Sequence, residues 1–171
     1  RTEVPPTPAP ITVPSGIVPP AAVVSTADAE TLSKYPDSAD RVLAAFTPPT
    51  DATSYYNDPT AAPAKQVEVV RGLFFTVQVG VYSRPVPLDK LFNITPLNTE
   101  RIDGGKIRYT TGIYRDLDRV RARKDETVVS GVQDAFITAY LNGKRIPMTD
   151  ARALLTRFGA QVLVDPEQVT P

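Results

Sequence analysis

Twelve of the chain's 18 prolines fall within the first 63 of its 171 residues, and this uneven spacing constrains the fold more than any other feature. Each proline fixes its own φ, removes a backbone donor and turns its predecessor away from helix. A stretch interrupted this often closes neither a continuous sheet nor a long helix, and it reads as a tether. The opening RTEVPPTPAPITVPSGIVPPAA has polyproline character and no amphipathic period. Two short helices are spelled within the tether. TADAETLSKY offers Thr26 as an N-cap, and SADRVLAAF sets Asp37 and Ser38 ahead of Val42, Leu43 and Phe46. Each is too short to stand alone, so each forms only when docked on the folded domain or on a partner. TPPTDATSYYNDPTAAPAK returns to linker, with Tyr55 and Tyr56 as anchor points.

Charge follows the same division. Residues 1–64 carry a net −4, residues 65–146 a net +5 and residues 147–171 a net −1, which cancel. A neutral chain lacks the concentrated basic field that duplex binding depends on, so nucleic acid is not an expected partner. Cys, His and Trp are absent, which excludes thiolate zinc sites, thiol catalysis, disulfides and every histidine-based triad or metal site. No apolar run is long enough to span a membrane, and no cofactor is called for. The one methionine is Met148, so a chain opening on Arg1 reads as a processed product or a fragment.

Ordered structure is expected from about Val67. VEVVRGLFFTVQVGVYS alternates Val77, Val79 and Val81 with Thr76, Gln78 and Gly80, a strand signal. PVPLDKLFN reads as a short helix or turn. NTERIDGGKIRYTTGIY reads as two strands joined at Asp103-Gly104-Gly105. RDLDRVRARKDETVVSG is the best helix, with Asp116 as cap and Gly131 as stop. DAFITAYLNGKRI is a strand and an Asn142-Gly143 hairpin turn, MTDARALLTRFG a helix with Thr149 as N-cap, and AQVLV a final strand. One phrase is written twice: TVQVGVYSR at 76–84 returns as RYTTGIYRD at 108–116, with Gly80 on Gly112 and Tyr82 on Tyr114. The repetition marks equivalent strands of a two-fold βαβ-type arrangement, each turning at a glycine where a side chain would obstruct.

FFTVQVGVYS followed by IRYTTGIYRDLDRVRARKDETVVSGVQDAFITAYLNGKRI resembles a SPOR domain, the sporulation-related repeat of bacterial envelope proteins. The match lies at Val77 to Gly80, Tyr82, Gly112, Tyr114 and Asp134 to Ile137, and covers about residues 72–141. YLNGKRIPM is similar in flavour to envelope proteins of the Bacteroidota. RPVPLDKLFNITP departs from the family's amphipathic first helix, and Thr110-Thr111 from its usual valine alternation. The resemblance implies an RNP-like α+β fold with a four-stranded antiparallel sheet and helices on one face. It also implies a non-enzymatic role, binding peptidoglycan glycan strands stripped of their stem peptides, in the periplasm or cell envelope, outer-membrane association included. The division expected is a proline-rich arm over 1–66, the SPOR-like domain over 67–146 and a C-terminal helix and strand over 147–171.

Strict alternation selects the outward side chains. With Val77, Val79 and Val81 under the helices, Thr76, Gln78 and Tyr82 face out, joined through the repeat by Arg108, Thr110 and Tyr114. On the closing strand Phe136, Thr138 and Tyr140 face out. The expected glycan site is Gln78, Tyr82, Ser83, Arg108, Thr110, Tyr114, Phe136 and Tyr140, combining flat rings with amide, hydroxyl and guanidinium groups. The competing expectation is that Phe136 and Tyr140 are core residues under the terminal helix. Catalysis is poorly provided for: Asp116/Asp118 and Asp125/Glu126 sit among arginines as salt-bridging surface, and Ser83 and Ser130 have no histidine to activate them. The basic DRVRARK reads as a solvated helix face. The alternative function is an adaptor that docks by protein contacts in an envelope assembly, its proline-rich arm threading along partners.

Overall fold

The structure, a computed structural model, describes residues 26–49 and 59–171. The opening polyproline stretch and the Tyr55-Tyr56 pair lie outside the described residues. Six strands, β1 (Ala64–Gln66), β2 (Leu73–Tyr82), β3 (Leu97–Ile102), β4 (Lys106–Tyr114), β5 (Phe136–Leu141) and β6 (Lys144–Ile146), form one sheet in the order β1-β3-β4-β2-β5-β6. β1 runs parallel to β3, and every other pair is antiparallel. The fold is therefore α+β with a mixed six-stranded sheet, not the four-stranded antiparallel sheet expected. The additions are two three-residue edge strands, and β1 begins ahead of Val67. AKQ follows Pro63 and has no alternation, so nothing local announces it.

β2 is the central strand, bonded to β4 on one side and β5 on the other. Its Leu73, Phe75 and Val77 point to the face that carries the helices, while Phe74 points to the opposite face, and all four are fully buried. Consecutive apolar residues of this kind belong to a strand buried on both faces. On the helix face pack α1 (Thr26–Leu32), α2 (Ala39–Ala44), α3 (Leu117–Val129) and α4 (Met148–Phe158). The opposite face is partly covered by a 3-10 turn at Val67–Val69 and by the C-terminal segment, through Val67, Val70, Val164 and Val169. AQVLV contributes a 3-10 turn and a single bridge from Leu163 to Leu73, not a strand.

The repeated glycine phrase has a structural cause. Phe75 pairs with Tyr114, but Val77 pairs with Thr111, so β4 carries one extra residue around Gly112. Gln78 then pairs with Thr110 and Gly80 with Tyr109, so β2 carries the next extra residue and register is restored. Each bulge sits at a glycine, and each is followed two residues later by a tyrosine whose ring lies over that glycine. A Cβ on Gly80 would stand 2.9 Å from the Tyr82 ring edge, and one on Gly112 would collide with the Tyr114 ring more severely. Gly112 also holds φ +76, which an L side chain adopts only with strain.

The helices follow their caps. The Asp116 side chain accepts from the Arg119 amide at 2.8 Å, α3 buries Val120 and Thr127, and Gly131 stops it at φ 125. Arg123 leaves the solvated face expected for this helix. Its guanidinium donates to the Thr111 hydroxyl and the Thr95 carbonyl, strapping α3 to β4. Pro147, not Thr149, occupies the cap position of α4. α1 and α2, of 7 and 6 residues, form because they dock: Leu32 and Val42 enter the core beside Leu154 and Leu73. Burying such a side chain contributes about 1.5–3 kcal/mol, more than a helix of this length supplies from its own hydrogen bonds. Polar latches fix the orientation. The buried Asp150 carboxylate accepts from the Tyr35 hydroxyl at 2.6 Å and from Lys34 Nζ at 3.1 Å, joining the turn that follows α1 to α4. Asn142, in the Asn142-Gly143 turn, accepts from the Gly72 amide at 3.0 Å and donates to the Val42 carbonyl at 2.7 Å.

The two glycines are not equivalent in cost. Gly112→Ala should destabilise by about 2–3 kcal/mol, since it adds left-handed strain to a ring collision, and Gly80→Ala by under about 1 kcal/mol. Thermal unfolding of both variants checks the ranking, and equal melting temperatures would refute the bulge account. Burial raises the Asp150 pKa, but the Tyr35 and Lys34 hydrogen bonds outweigh it and hold the carboxyl below its ordinary value. A depressed folded-state pKa gives stability that is present above the unfolded value, about 3.9, and lost as pH falls through the folded one. Asp150→Asn should therefore cost about 1–3 kcal/mol at pH 7, a difference that shrinks in denaturant titrations carried below about pH 4.

Candidate functional site

The face of the sheet away from the helices carries most of the expected site, arranged in cross-strand rows. Asn98, Thr110, Gln78 and Phe136 lie abreast on β3, β4, β2 and β5. Glu100 and Arg108 form the next row at one end, and Thr76 and Thr138 lie on the other side. Gln78, Arg108, Thr110, Phe136 and Tyr140 thus share one face, as alternation requires. Tyr82 and Tyr114 do not. The bulges at Gly80 and Gly112 each invert the alternation, because a one-residue slip exchanges the two faces of a strand. Tyr114 is buried in the helix-side core with Val120. Tyr82 packs edge-on against Tyr109 at 5.8 Å and donates to the Lys90 carbonyl at 3.3 Å. Ser83 lies past the end of β2, where it and Tyr82 line a cleft of about 680 Å³ with Arg84, Lys90 and Phe92.

Nor is the face uniformly open. Tyr140 is sealed at its centre, its ring stacked on Phe74 at 5.3 Å and 10°. The competing expectation of a core role thus holds for Tyr140, although its cover is not α4 but the 3-10 turn and the C-terminal segment. The Tyr140 hydroxyl reaches across β2 and β4 to donate to Glu100 at 2.6 Å, and Arg108 Nη1 donates to the same carboxylate oxygen. Burial pushes the Tyr140 hydroxyl well above its usual pKa, and the Glu100 charge adds to that shift. Burial works against the Arg108 charge, but Glu100 and Tyr140 outweigh it and hold the guanidinium above its usual value. Glu68, within the 3-10 turn, accepts from the Arg101 amide at 2.8 Å, and burial raises its carboxyl above the usual range. Thr110 is buried and accepts from the Asn98 amide.

The end of this face beyond Tyr140 is accessible. Phe136 is 42% exposed there, and Val81, brought to this face by the Gly80 bulge and paired with Arg108, is 41% exposed. Two buried polar atoms at this end, Gln78 Oε1 and Arg108 Nε, have no hydrogen-bond partner among the described residues. Arg145 on β6 closes the patch. Its guanidinium lies 5.8 Å from the Phe136 ring centre and its Nε donates to Thr138 at 2.9 Å. The sequence reading missed Val81 and Arg145. Counting back from the Asn142-Gly143 turn places Arg145 opposite Tyr140, so its signal was present, whereas Val81 required knowledge of the bulge. Among the described residues there is no group of three or more His, Cys, Asp or Glu able to hold a metal, and no helix long and apolar enough to cross a membrane.

Tyr140→Phe keeps the ring stack and removes one charge-assisted donor from Glu100. Urea unfolding should show a loss of about 1–3 kcal/mol, and an unchanged midpoint would mean that the Glu100–Arg108 pair is sufficient without it. Comparison of the chain with protein-family models, with curated proteins and with solved structures finds no match.

Proposed function

We propose that this chain is a non-enzymatic module of the bacterial cell envelope that binds peptidoglycan glycan strands, preferentially those stripped of stem peptides, and tethers a larger protein to the wall. The observation that carries this reading is the accessible end of the second sheet face. Phe136 and Val81 offer an apolar surface to a sugar ring, while Gln78 Oε1 and Arg108 Nε are an unpartnered acceptor and donor in neighbouring rows. Buried polar atoms without partners call for an explanation, and a ligand bearing hydroxyl and N-acetyl groups supplies both bonds. The inner strand order β3-β4-β2-β5, with α3 crossing between β4 and β5, is that of a split βαβ unit and agrees with the SPOR-like, RNP-like fold the sequence resembles.

One observation favours a second reading, a protein-docking adaptor. The chain's own 3-10 turn and C-terminal segment occupy part of the face a long glycan would need, with Tyr140 beneath them. Retention on purified sacculi separates the two. Wild type should be retained more strongly after amidase treatment, and a Gln78→Ala/Phe136→Ala pair should lose about tenfold or more of that retention, the equivalent of one or two hydrogen bonds and a ring contact. Ser83→Ala, whose side chain lies off this face, should bind as wild type. No retention on either form of wall would end the glycan reading and leave the adaptor.

A further inference from the structure

The two edges of the sheet are treated differently. At one edge, three-residue β1 follows Pro63, and past its end the Glu68 carboxylate accepts from the main-chain amide of Arg101 on β3. These are devices that stop a sheet from recruiting another strand. At the other edge β6 pairs only with residues 139–141 of β5, and Pro147 then turns the chain into α4. Phe136, Ile137 and Thr138 keep their pairing with β2 but have no strand on their outer side. The two-residue turn makes Leu141 and Lys144 the closing hydrogen-bonded pair. Ladder alternation then directs the main-chain groups of Leu141, Ala139 and Ile137 outward. No main-chain bond joins Ile137 to anything on that side among the described residues. Its N–H and C=O open into a cleft of about 450 Å³ walled by Phe136, Ile146, Met148 and Arg145.

We infer that this slot binds an extended peptide segment of a partner protein as an added β-strand that begins opposite Ile137 and runs on past Phe136. The chemistry of that segment follows from the walls. The peptide residue opposite Ile137 exchanges two main-chain bonds with it and places its side chain on the helix-side face beside Met148, so it is apolar. The residue after it, opposite Phe136, projects onto the face of Arg145, which has no carboxylate partner among the described residues, and Lys144 adjoins it, so it is acidic. A second copy of this chain fits poorly, because in an antiparallel pairing each copy's own β6 would lie in line with the slot and meet the loop before β5. The inference is independent of glycan binding and is read at a different atom.

The probe is acetyl-Val-Glu-Thr-amide, whose Val stands opposite Ile137, followed by amide hydrogen exchange of the full chain. In the free protein the Ile137 amide should exchange about a hundredfold faster than those of Thr138 and Ala139, which are paired. Millimolar probe should slow Ile137 exchange about tenfold or more, as expected for a dissociation constant of roughly 0.1–1 mM. The same peptide N-methylated at its Val loses the donor to the Ile137 carbonyl and should have no effect. Arg145→Glu, at an exposed side chain, should weaken the probe at least about tenfold. Protection of Ile137 in the free chain, failure of the probe to slow its exchange, or equal action of the two peptides would each overturn the inference.

Discussion

The structure rests on the paired bulges in the β2–β4 ladder. A single bulge would leave every residue beyond it one step out of register, with the core set on the wrong face. Here the slip opened around Gly112 is closed around Gly80, so the strands leave the pair as they entered it. Past its own bulge each strand's alternation is inverted, and that brings Tyr82 and Tyr114 to the helix side and Val81 to the other. The glycines permit this because each tyrosine ring covers the place a Cβ would take. What reads in the sequence as a repeated motif is thus a matched pair of corrections.

Burial on both faces follows from the same strand. Leu73, Phe74 and Phe75 demand cover on either side, and four α-helices supply it on only one. The second side is closed by short segments of little intrinsic order, the turn at Val67–Val69 and the C-terminal residues. They are held by specific bonds. Ile113, adjoining the Gly112 bulge, is tied to Thr170 at both its main-chain groups: its amide donates to the Thr170 hydroxyl at 2.8 Å, and its carbonyl accepts from the Thr170 amide at 2.9 Å. A distortion in the ladder therefore also supplies the docking point for the tail. Beneath, the Tyr140–Glu100–Arg108 network spans the four inner strands and is the polar counterpart of the Phe74 stack.

Much of the fold was legible because its signals are local. The Asp103-Gly104-Gly105 and Asn142-Gly143 turns, the Asp116 cap and the Gly131 stop all stand where their chemistry places them. The site was legible in part. Gln78, Arg108, Thr110, Phe136 and Tyr140 reach the predicted face because they lie outside the inverted stretches or pair across them in register. Tyr82 and Tyr114 do not, because alternation counts residues and a bulge adds one that the count cannot see. The cover over Tyr140 was hidden for another reason: its elements sit far from β5 in sequence and have no periodicity of their own. One signal did exist, since three consecutive apolar residues at 73–75 are incompatible with a strand open on one face.

The two ends of the sheet suggest how such a small domain separates its tasks. The covered part of the second face, with Phe74 and Tyr140, is core and has no room to vary. The remaining part keeps Phe136 and Val81 exposed over unpartnered Gln78 and Arg108 atoms, where a rigid ladder beneath fixes their spacing. The neighbouring edge keeps a main-chain slot open that the opposite edge closes with Glu68. Exposed aromatic surface and an uncovered strand edge both carry an aggregation cost, and a chain that blunts one edge while leaving the other has not left it by default. Phe136 belongs to both surfaces, so a ligand on the sheet face and a strand in the slot would meet at its ring.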